Sequence, residues 1–220
     1  MCEFWKERTI FMKYISKIPK ADINLNDKMI NDGWKILKEP KNLVTATLIS
    51  LPISIINIYI CMLFMKWTNK DLLTIVNSIV YGGKITFTIK FVYIVYIYLY
   101  ILLHEVVHLI LIPNFTKSKS TFISVKLWGG FVYTEEVINK RRYLIITILP
   151  FVLLSFVLPL LMTLIGINPM IILTLSIINS AGASVDVLSF ILILFQVPKN
   201  SSIKNNGMKT FYIIISDYYI

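Results

Sequence analysis

The sequence is short of charged side chains, which make up 15% of its 220 residues. A soluble domain of this size would carry roughly a quarter. The charges that are present cluster between long uncharged runs, and 56% of all residues are apolar. This pattern argues against an ordinary soluble fold and predicts an integral membrane protein.

Two further shortages narrow the class of protein. Cys2 and Cys61 are the two cysteines, so neither a disulfide nor a zinc knuckle is predicted. The first residues lack the apolar core of a signal peptide, so internal spans should direct the chain to the membrane. The net charge is +10, and the basic residues border the apolar runs. Because the positive-inside rule and anionic lipid explain that placement, we expect a lipid bilayer and no nucleic acid as partner.

Four long apolar segments predict four transmembrane helices, since each can cross roughly 30 Å of hydrocarbon. They are residues 43–65, 91–113, 143–165 and 170–197. Between the second and third, β-prone residues on either side of Trp128-Gly129-Gly130 predict a hairpin. We therefore expect an all-α membrane protein with about four transmembrane helices, a short β-hairpin between the second and third, and N-terminal interfacial helices.

The predicted organisation has three parts. Residues 1–42 form a cytoplasmic amphipathic segment, 43–198 a membrane domain with its hairpin loop at 114–142, and 199–220 a cytoplasmic tail. The Lys and Arg count on each side of the spans places both termini in the cytoplasm. A surface helix is predicted at 72–80. In the first part, apolar residues from Phe4 to Ile18 alternate with charged ones and predict an interfacial amphipathic helix. A second helical pattern follows, with one apolar face made of Leu25, Met29, Ile30, Trp34 and Leu37.

Strongly ionisable side chains are absent from the first and third spans and rare in the other two. The second span contains His104, Glu105 and His108, and the fourth contains Asp186. The two histidines are the only ones in the chain. A charge at bilayer depth costs roughly 2.5–3.5 kcal/mol on insertion scales, so such residues usually have partners and a function.

The spacing of these residues suits a metal ion. His104 and His108 lie on one face of a helix, roughly 5–6 Å apart at Cβ, so both can bind one Zn²⁺. Glu105 lies one residue round the helix, where it can take a proton from water and pass it to a leaving amine. Asp186, at a matching depth, is the expected third ligand; the alternative is a polar residue at an unwound turn near Gly182.

Four other polar residues are expected to have roles other than binding the metal. Asn179 shares a helical face with Asp186 if the fourth span is unbroken, and its amide could donate to an oxyanion or contact substrate. An interhelical hydrogen bond is an equal alternative for it. Tyr100 is expected to pack or to anchor the helix at the interface. Glu135 and Glu136, in the hairpin loop, are expected to be solvated.

These features together resemble a bacterial membrane family of putative zincin peptidases, which is itself similar to the site-2-protease intramembrane zinc metalloproteases. The resemblance covers roughly residues 25–210. The motifs that carry it are Gly33-Trp34 through Glu39-Pro40, Tyr100-Ile101-Leu102-Leu103-His104-Glu105-Val106-Val107-His108, the Trp-Gly-Gly hairpin, Pro150-Phe151 and Asn179…Asp186.

The resemblance implies a set of functional residues. His104, His108 and Asp186 would bind zinc, and Glu105 would be the catalytic acid and base. Site-2 proteases usually have glycine after the ligating aspartate, whereas Val187 follows here. The resemblance therefore does not extend to their detailed mode of substrate binding.

We thus expect a zinc metallopeptidase that cleaves a membrane-bound or membrane-proximal peptide substrate near the cytoplasmic face of a bacterial cell membrane. The 121–134 hairpin could hold an extended substrate by strand addition. The alternatives are a non-catalytic membrane protein with a structural or transport metal site, and a peptidase-like regulator that binds without cutting. A structural zinc favours a fourth Cys or His ligand, for which Cys61 is the candidate. Co²⁺, Fe²⁺ and Mn²⁺ remain alternatives to Zn²⁺, which the histidine-rich set favours.

Overall fold

The computed structural model describes residues 13–68, 91–126 and 129–215, and this part of the chain is mostly helical. The helices are α1 (Ile23–Asn31), α2 (Leu43–Thr68), α3 (Phe91–Leu111), α4 (Lys140–Val152), a π-helix (Leu153–Val157), α5 (Leu158–Leu164), α6 (Pro169–Gly182) and α7 (Ser184–Gln196). The strands are β1 (Lys13–Tyr14), β2 (Lys35–Ile36), β3 (Thr121–Lys126), β4 (Gly129–Thr134), β5 (Ile138–Asn139), β6 (Ser201–Asn206) and β7 (Lys209–Ile214). There is therefore more β structure than the one predicted hairpin. The helix predicted at 72–80 lies outside the described residues.

Three helical segments are long and apolar enough to cross a membrane. They are α2, α3 and the continuous run Lys140–Leu164, which comprises α4, the π-helix and α5. A fourth is present if the bent pair of α6 and α7 is one span. These segments coincide within a few residues with those predicted. Because α2 packs on α6 and α7, and α3 packs on α4 and α6, they form one bundle.

The fourth predicted span, 170–197, is not a continuous helix. Its two halves, α6 and α7, meet at Ala183 and are bent by 46°. Gly182 and Ser184, which have lower helix preference than alanine, flank this break, and both halves are strongly apolar, so hydropathy alone does not reveal it. The bend places Asp186 in the first turn of α7. A carboxylate is stabilised there by the helix dipole.

The third span contains the π-helix, a wider turn in which hydrogen bonds reach five residues back. The N–H of Leu158 bonds to the carbonyl of Leu153 instead of that of Leu154. The carbonyl of Leu154 accepts a hydrogen bond from the hydroxyl of Tyr100 on α3, at 2.5 Å. The π-helix therefore connects the third span to the second.

The predicted hairpin is present as β3 and β4, in a three-stranded sheet of order β1-β3-β4. β3 and β4 are antiparallel, with Thr121 opposite Thr134, whereas β1 is parallel to β3. Gly129 and Gly130 were predicted in the turn but belong to β4. The connection at 127–128 lies outside the described residues.

A second hairpin, β6–β7, lies where the sequence analysis expected a tail. It is central to an antiparallel sheet of order β2-β7-β6-β5. Gly207 at its turn has a φ of +59°, and a Cβ there would be 2.5 Å from the backbone nitrogen of Ala21. Only glycine fits this position. The strand was not recognised because β6 consists mainly of Ser and Asn, which favour turns.

The predicted N-terminal helix is shorter than expected. α1 begins after Asp22, whose carboxylate accepts hydrogen bonds from the first turn, and ends before Gly33, whose φ is +87°. Trp34 and Leu37 therefore do not continue its apolar face. Leu37 packs instead against α7 and β6. The first interfacial helix was predicted to extend to Ile18, but residues 13–14 form β1 and 15–18 are not helical. Residues 1–12 lie outside the described residues.

Two basic residues at the start of α4 cap neighbouring helices. The Nζ of Lys140 donates to the carbonyl of Leu194 at 3.0 Å and to that of Val197 at 2.5 Å, at the end of α7. The Nε of Arg142 donates to the carbonyl of Leu111 at 2.7 Å, at the end of α3. Cations suit helix C-termini because they satisfy free carbonyls and the helix dipole. These contacts fix α3 and α7 relative to α4.

Candidate metal centre

Helices α3 and α7 bring the side chains of His104, His108 and Asp186 together. The Nε2 atoms of His104 and His108 lie 3.1 Å and 3.5 Å from Oδ2 of Asp186. The two Nε2 atoms are 3.2 Å apart. The four-residue spacing puts the two imidazoles on one face of α3, about 10 Å and 5 Å from its C-terminal end. The structure thus assembles the residues that the sequence analysis selected, and their role as ligands stays a prediction.

Hydrogen bonds to the other ring nitrogens fix the tautomer of both histidines. Nδ1 of His108 lies 2.8 Å from the carbonyl of Ile146, which can only accept, so Nδ1 carries the proton. Nδ1 of His104 lies 2.9 Å from Oδ1 of Asn179. The orientation of this amide follows from its nitrogen, which donates to the carbonyl of Pro150 at 3.3 Å. Each neutral imidazole therefore turns an unprotonated Nε2 toward the shared centre.

This donor set fits a zinc ion. Ligand atoms about 2.0–2.1 Å from a tetrahedral zinc are about 3.3–3.4 Å from one another, and the three separations here are 3.1, 3.2 and 3.5 Å. Two lone pairs and a carboxylate oxygen this close repel one another unless a cation or a proton lies between them. Within the described residues the cluster has these three members. Three protein ligands and one open position are typical of catalytic zinc.

Glu105 lies beside the cluster and is 8% exposed. It lines the same cavity as the three candidate ligands. Strand β4 covers it, because an ideal Cβ on Gly130 would lie only 2.7 Å from Cγ of Glu105. A strand can approach this closely only where it has no side chain.

A cavity of about 340 Å³ opens in front of the cluster. Its walls come from α3, α4, α7 and β4, and Tyr143 and Asn205 provide polar groups. The side-chain amide of Asn205 donates to the carbonyl of Thr134 at 3.1 Å and to the hydroxyl of Tyr143 at 3.2 Å. The C-terminal hairpin therefore contributes to the wall of the cavity and supports the end of β4.

Asn179 is 5% exposed, and its amide has three partners. Its oxygen bonds to His104, and its nitrogen donates to the carbonyl of Pro150 and to Oγ of Ser155 at 2.9 Å. Both amide hydrogens are thus engaged between helices. The interhelical role considered from the sequence matches these contacts, whereas an oxyanion or substrate contact would require the amide to turn and stays a prediction.

The acidic residues of the hairpin loop have specific partners rather than solvent alone. Glu136 accepts hydrogen bonds from the hydroxyls of Ser118 and Ser120 at 2.5 and 2.6 Å, which lower its pKa. Glu135 accepts one from the hydroxyl of Tyr133 at 2.9 Å. Burial, followed by this contact with Glu135, raises the pKa of Tyr133 above its usual range. These contacts order the loop beside the cavity.

Sequence reasoning missed three residues of the cavity wall. Gly130 belongs to a Gly-Gly pair, which indicates a turn as readily as a close contact. Tyr143 follows a basic cluster, as interfacial aromatic residues commonly do. Asn205 lies in a polar stretch without periodicity. None of the three carries a signal in the sequence that would have distinguished it.

Comparison with protein families covers the segment that carries the site. The model of the family described as putative zincin peptidase matches residues 96–202. The resemblance to the zincin peptidase family is confirmed. The zincin peptidase match spans α3 to the start of β6 and includes His104, Glu105, His108 and Asp186. It indicates a metallopeptidase and implies zinc as the metal.

The zincin peptidase match is narrower than the predicted resemblance over residues 25–210, because α2 and most of the second hairpin lie outside it. No curated protein and no solved structure matches the chain. Similarity to site-2 proteases therefore stays a prediction.

Proposed function

We propose that this chain is a membrane-embedded zinc metallopeptidase, similar to site-2 proteases. His104, His108 and Asp186 hold the metal, and Glu105 is the general acid and base. The observation that carries the proposal is the convergence of two Nε2 atoms and one carboxylate oxygen, 3.1–3.5 Å apart, beside a second carboxylate.

The chemistry assigns a proton-transfer role to Glu105. A bound zinc ion lowers the pKa of a water molecule to about 7 and polarises a carbonyl oxygen. The carboxylate of Glu105 accepts the proton of the water that attacks the peptide carbonyl. It then donates this proton to the amine nitrogen as the C–N bond breaks, which returns the carboxylate to its ionised form. The contact between β4 and Glu105 limits the positions that the carboxylate can take.

A bilayer environment is supported by the outer surface of the bundle. Large apolar side chains are exposed along the candidate spans, such as Ile55 at 69% and Phe195 at 81%. Soluble monomers rarely expose large continuous apolar patches. We place the site near the cytoplasmic face, because the basic residues Lys140 and Arg142 cap the helix ends on its side.

Strand β4 offers a place for an extended peptide. The N–H of Glu135 bonds to the carbonyl of Ser120 at 3.0 Å, and hydrogen-bonded pairs alternate along an antiparallel ladder. Gly130, Val132 and Thr134 therefore direct their backbone groups away from β3. All three line the cavity, and no described strand pairs with this edge. The carbonyl of Thr134 accepts from Asn205, so Gly130 and Val132 are the residues that would hold a substrate. A substrate added to the edge would lie beside Glu105, with its main chain held by β4.

The rival roles lack these supports. A structural zinc needs a closed fourth position, but the thiol of Cys61 donates to the carbonyl of Ser155 at 3.7 Å and is not in the cluster. A transport site needs ionisable groups along a path. A regulator that binds without cutting has no need of Glu105 next to the ligands.

The metal content of the detergent-purified chain tests the proposal. Wild type and Glu105→Gln should hold close to one zinc ion per chain, and His104→Ala and Asp186→Asn should lose it. Glu136→Gln is the control, since it also replaces an acid by its amide but lies outside the metal cluster. If wild type holds no metal when zinc is supplied, the proposal fails. If Asp186→Asn keeps its zinc, the third ligand lies elsewhere.

Catalysis is tested with Glu105→Gln as a substrate trap. Membrane proteins captured by this variant should be cleaved by zinc-loaded wild type and remain intact with Glu105→Gln. Zinc binding and capture without cleavage by wild type would instead indicate the regulator.

A further inference from the structure

A chain of polar contacts leads from the π-helix to His104. Ser155, within the π-helix, is fully buried, and its hydroxyl accepts a hydrogen bond from Nδ2 of Asn179 at 2.9 Å. The hydroxyl of Ser180 donates to the same oxygen at 2.9 Å. The other end of the Asn179 amide faces Nδ1 of His104 at 2.9 Å. Three segments of the bundle, the π-helix, α6 and α3, are thus joined behind the candidate metal centre.

The carbonyl groups of the π-helix make further contacts. Pro159 has no N–H, so the carbonyl of Ser155 lacks the donor that an α-helix would supply, and it accepts from the thiol of Cys61 on α2 instead. The carbonyl of Leu154 also lacks its α-helical donor, because the N–H of Leu158 bonds to the carbonyl of Leu153. It accepts a hydrogen bond from the hydroxyl of Tyr100, one turn before His104 on α3. The same π-helix therefore contacts α3 directly at Tyr100 and, through Asn179, at His104 one turn later. π-helical turns are frequently found at functional sites.

The two histidines are held differently. Nδ1 of His108 bonds to a backbone carbonyl, that of Ile146, which no side-chain substitution removes. Nδ1 of His104 depends on the side chain of Asn179, which in turn depends on Ser155 and on the carbonyl of Pro150. If this acceptor is lost, the ring of His104 can move its proton to Nε2 or rotate. Either change removes the lone pair that would bind the metal.

We propose that Asn179 and Ser155 are positioning residues that hold His104 with Nδ1 protonated and Nε2 directed at the metal. This inference rests on the proposed metal centre. Partners of this kind commonly change metal affinity about 10–100-fold. The neutral amide of Asn179 adds no charge to a site that already contains Glu105 and Asp186, which matters because uncompensated charge is costly within a bilayer.

Selective ¹⁵N labelling of histidine tests the inference directly, because the chain has two histidines. NMR spectra of the metal-free protein should show a proton on Nδ1 of both rings in wild type, whether or not a proton is also shared at Nε2. In Asn179→Leu, which has a similar volume but no acceptor, the ring of His104 should change while that of His108 stays the same. The unchanged ring is an internal control for folding.

Zinc affinity, measured by competition with a chelator, is the second readout. Asn179→Leu should bind zinc about 10–100-fold more weakly than wild type. Ser155→Ala should show a smaller loss in the same direction, because Asn179 keeps its contact with the carbonyl of Pro150. Activity is not needed for either measurement.

Two matched controls separate positioning from general packing. Asn57 on α2 is 3% exposed and donates to the carbonyl of Ser180 at 3.2 Å, so Asn57→Leu removes a buried interhelical bond without contacting His104. Ser176 is fully buried and bonds within its own helix, so Ser176→Ala matches Ser155→Ala. Both controls should keep the affinity of wild type.

The outcomes distinguish this inference from the function on which it rests. Equal losses of affinity in Asn179→Leu and Asn57→Leu would overturn it in favour of general packing. An unchanged His104 tautomer together with unchanged affinity in Asn179→Leu would also overturn it, while leaving the metal centre intact. If wild type itself binds no zinc, the proposed function fails, and the tautomer of the metal-free protein still reports whether Asn179 orients His104.

Discussion

Gly130→Ala should slow peptide cleavage without releasing the metal. The added Cβ would lie 2.7 Å from Cγ and 3.2 Å from Cδ of Glu105, and 2.8 Å from the backbone carbonyl oxygen of Ser124. The last atom belongs to the ladder between β3 and β4, so that contact is relieved only by a small shift of β4 against β3. The contacts with Cγ and Cδ require the side chain of Glu105 to move as well.

The size of the effect follows from these contacts. Carbon atoms pack best about 3.5–4.0 Å apart, so Cγ of Glu105 must move by about 1 Å. A misplacement of about 1 Å can cost about 10²-fold in rate, which corresponds to about 2.7 kcal/mol in the activation barrier. His104 and His108 are not among the nearest atoms to the added methyl group, so zinc content should stay at the wild-type level.

The assay is single-turnover cleavage of a protein captured by Glu105→Gln, with zinc content measured on the same sample. Gly182→Ala is the matched control, because Gly182 also lines the cavity but a Cβ there meets no atom within 4 Å. Cleavage by Gly130→Ala at the rate of Gly182→Ala would refute the argument that β4 restrains Glu105. Loss of zinc in Gly130→Ala would show instead that the strand supports the ligands.

Three further predictions concern stability and the cavity wall. Removing the metal with a chelator should abolish cleavage and lower the unfolding temperature. Adding zinc back at about 100 times its dissociation constant should raise the free energy of unfolding by about 2.7 kcal/mol. Asn205→Leu should slow cleavage but keep zinc, because it removes the hydrogen-bond donor to the carbonyl of Thr134 on β4. The free energy of unfolding should fall by about 1–3 kcal/mol, which denaturant titration should detect. Burial raises the pKa of Glu39 from 4.5, against opposing hydrogen bonds from Thr210, so the folded state binds its proton more tightly than the unfolded state does. Wild type should therefore lose stability relative to Glu39→Gln as the pH rises from 4.5 through the folded-state pKa, and equal pH profiles in thermal unfolding would contradict this.

The spans and the candidate ligands could be predicted because each depends on a local property of the sequence. Apolar length fixes which segments can cross a bilayer, and the spacing of His104 and His108 fixes the face of α3 that they share. Asp186 could be added because few ionisable residues are available within the apolar segments. These inferences need no knowledge of how distant segments pack.

The π-helix could not be predicted in the same way, and a break near Gly182 was only one of two alternatives for the fourth span. Both lie within strongly apolar stretches, where hydropathy is the same for a straight helix and a broken one. They change which groups face the site: Asn179 contacts His104, whereas Asp186 begins a new helix. An unbroken fourth helix would instead have placed these two residues on one face.

The second hairpin, β6–β7, is a further element that could not be predicted from the sequence. Its contacts separate the part of the chain that carries the chemistry from the part that shapes the substrate cavity. Asn205 bonds to the carbonyl of Thr134, and the N–H of Gly207 donates to the hydroxyl of Tyr133 at 2.7 Å. Both contacts hold β4, the strand that lies against Glu105, yet Asn205 and Gly207 fall outside the segment that matches the zincin peptidases. The motif on α3 thus carries the candidate chemistry, whereas the two hairpins determine the shape of the cavity beside it. Changes in β6 and β7 should therefore alter which peptides are cut more than they alter metal binding.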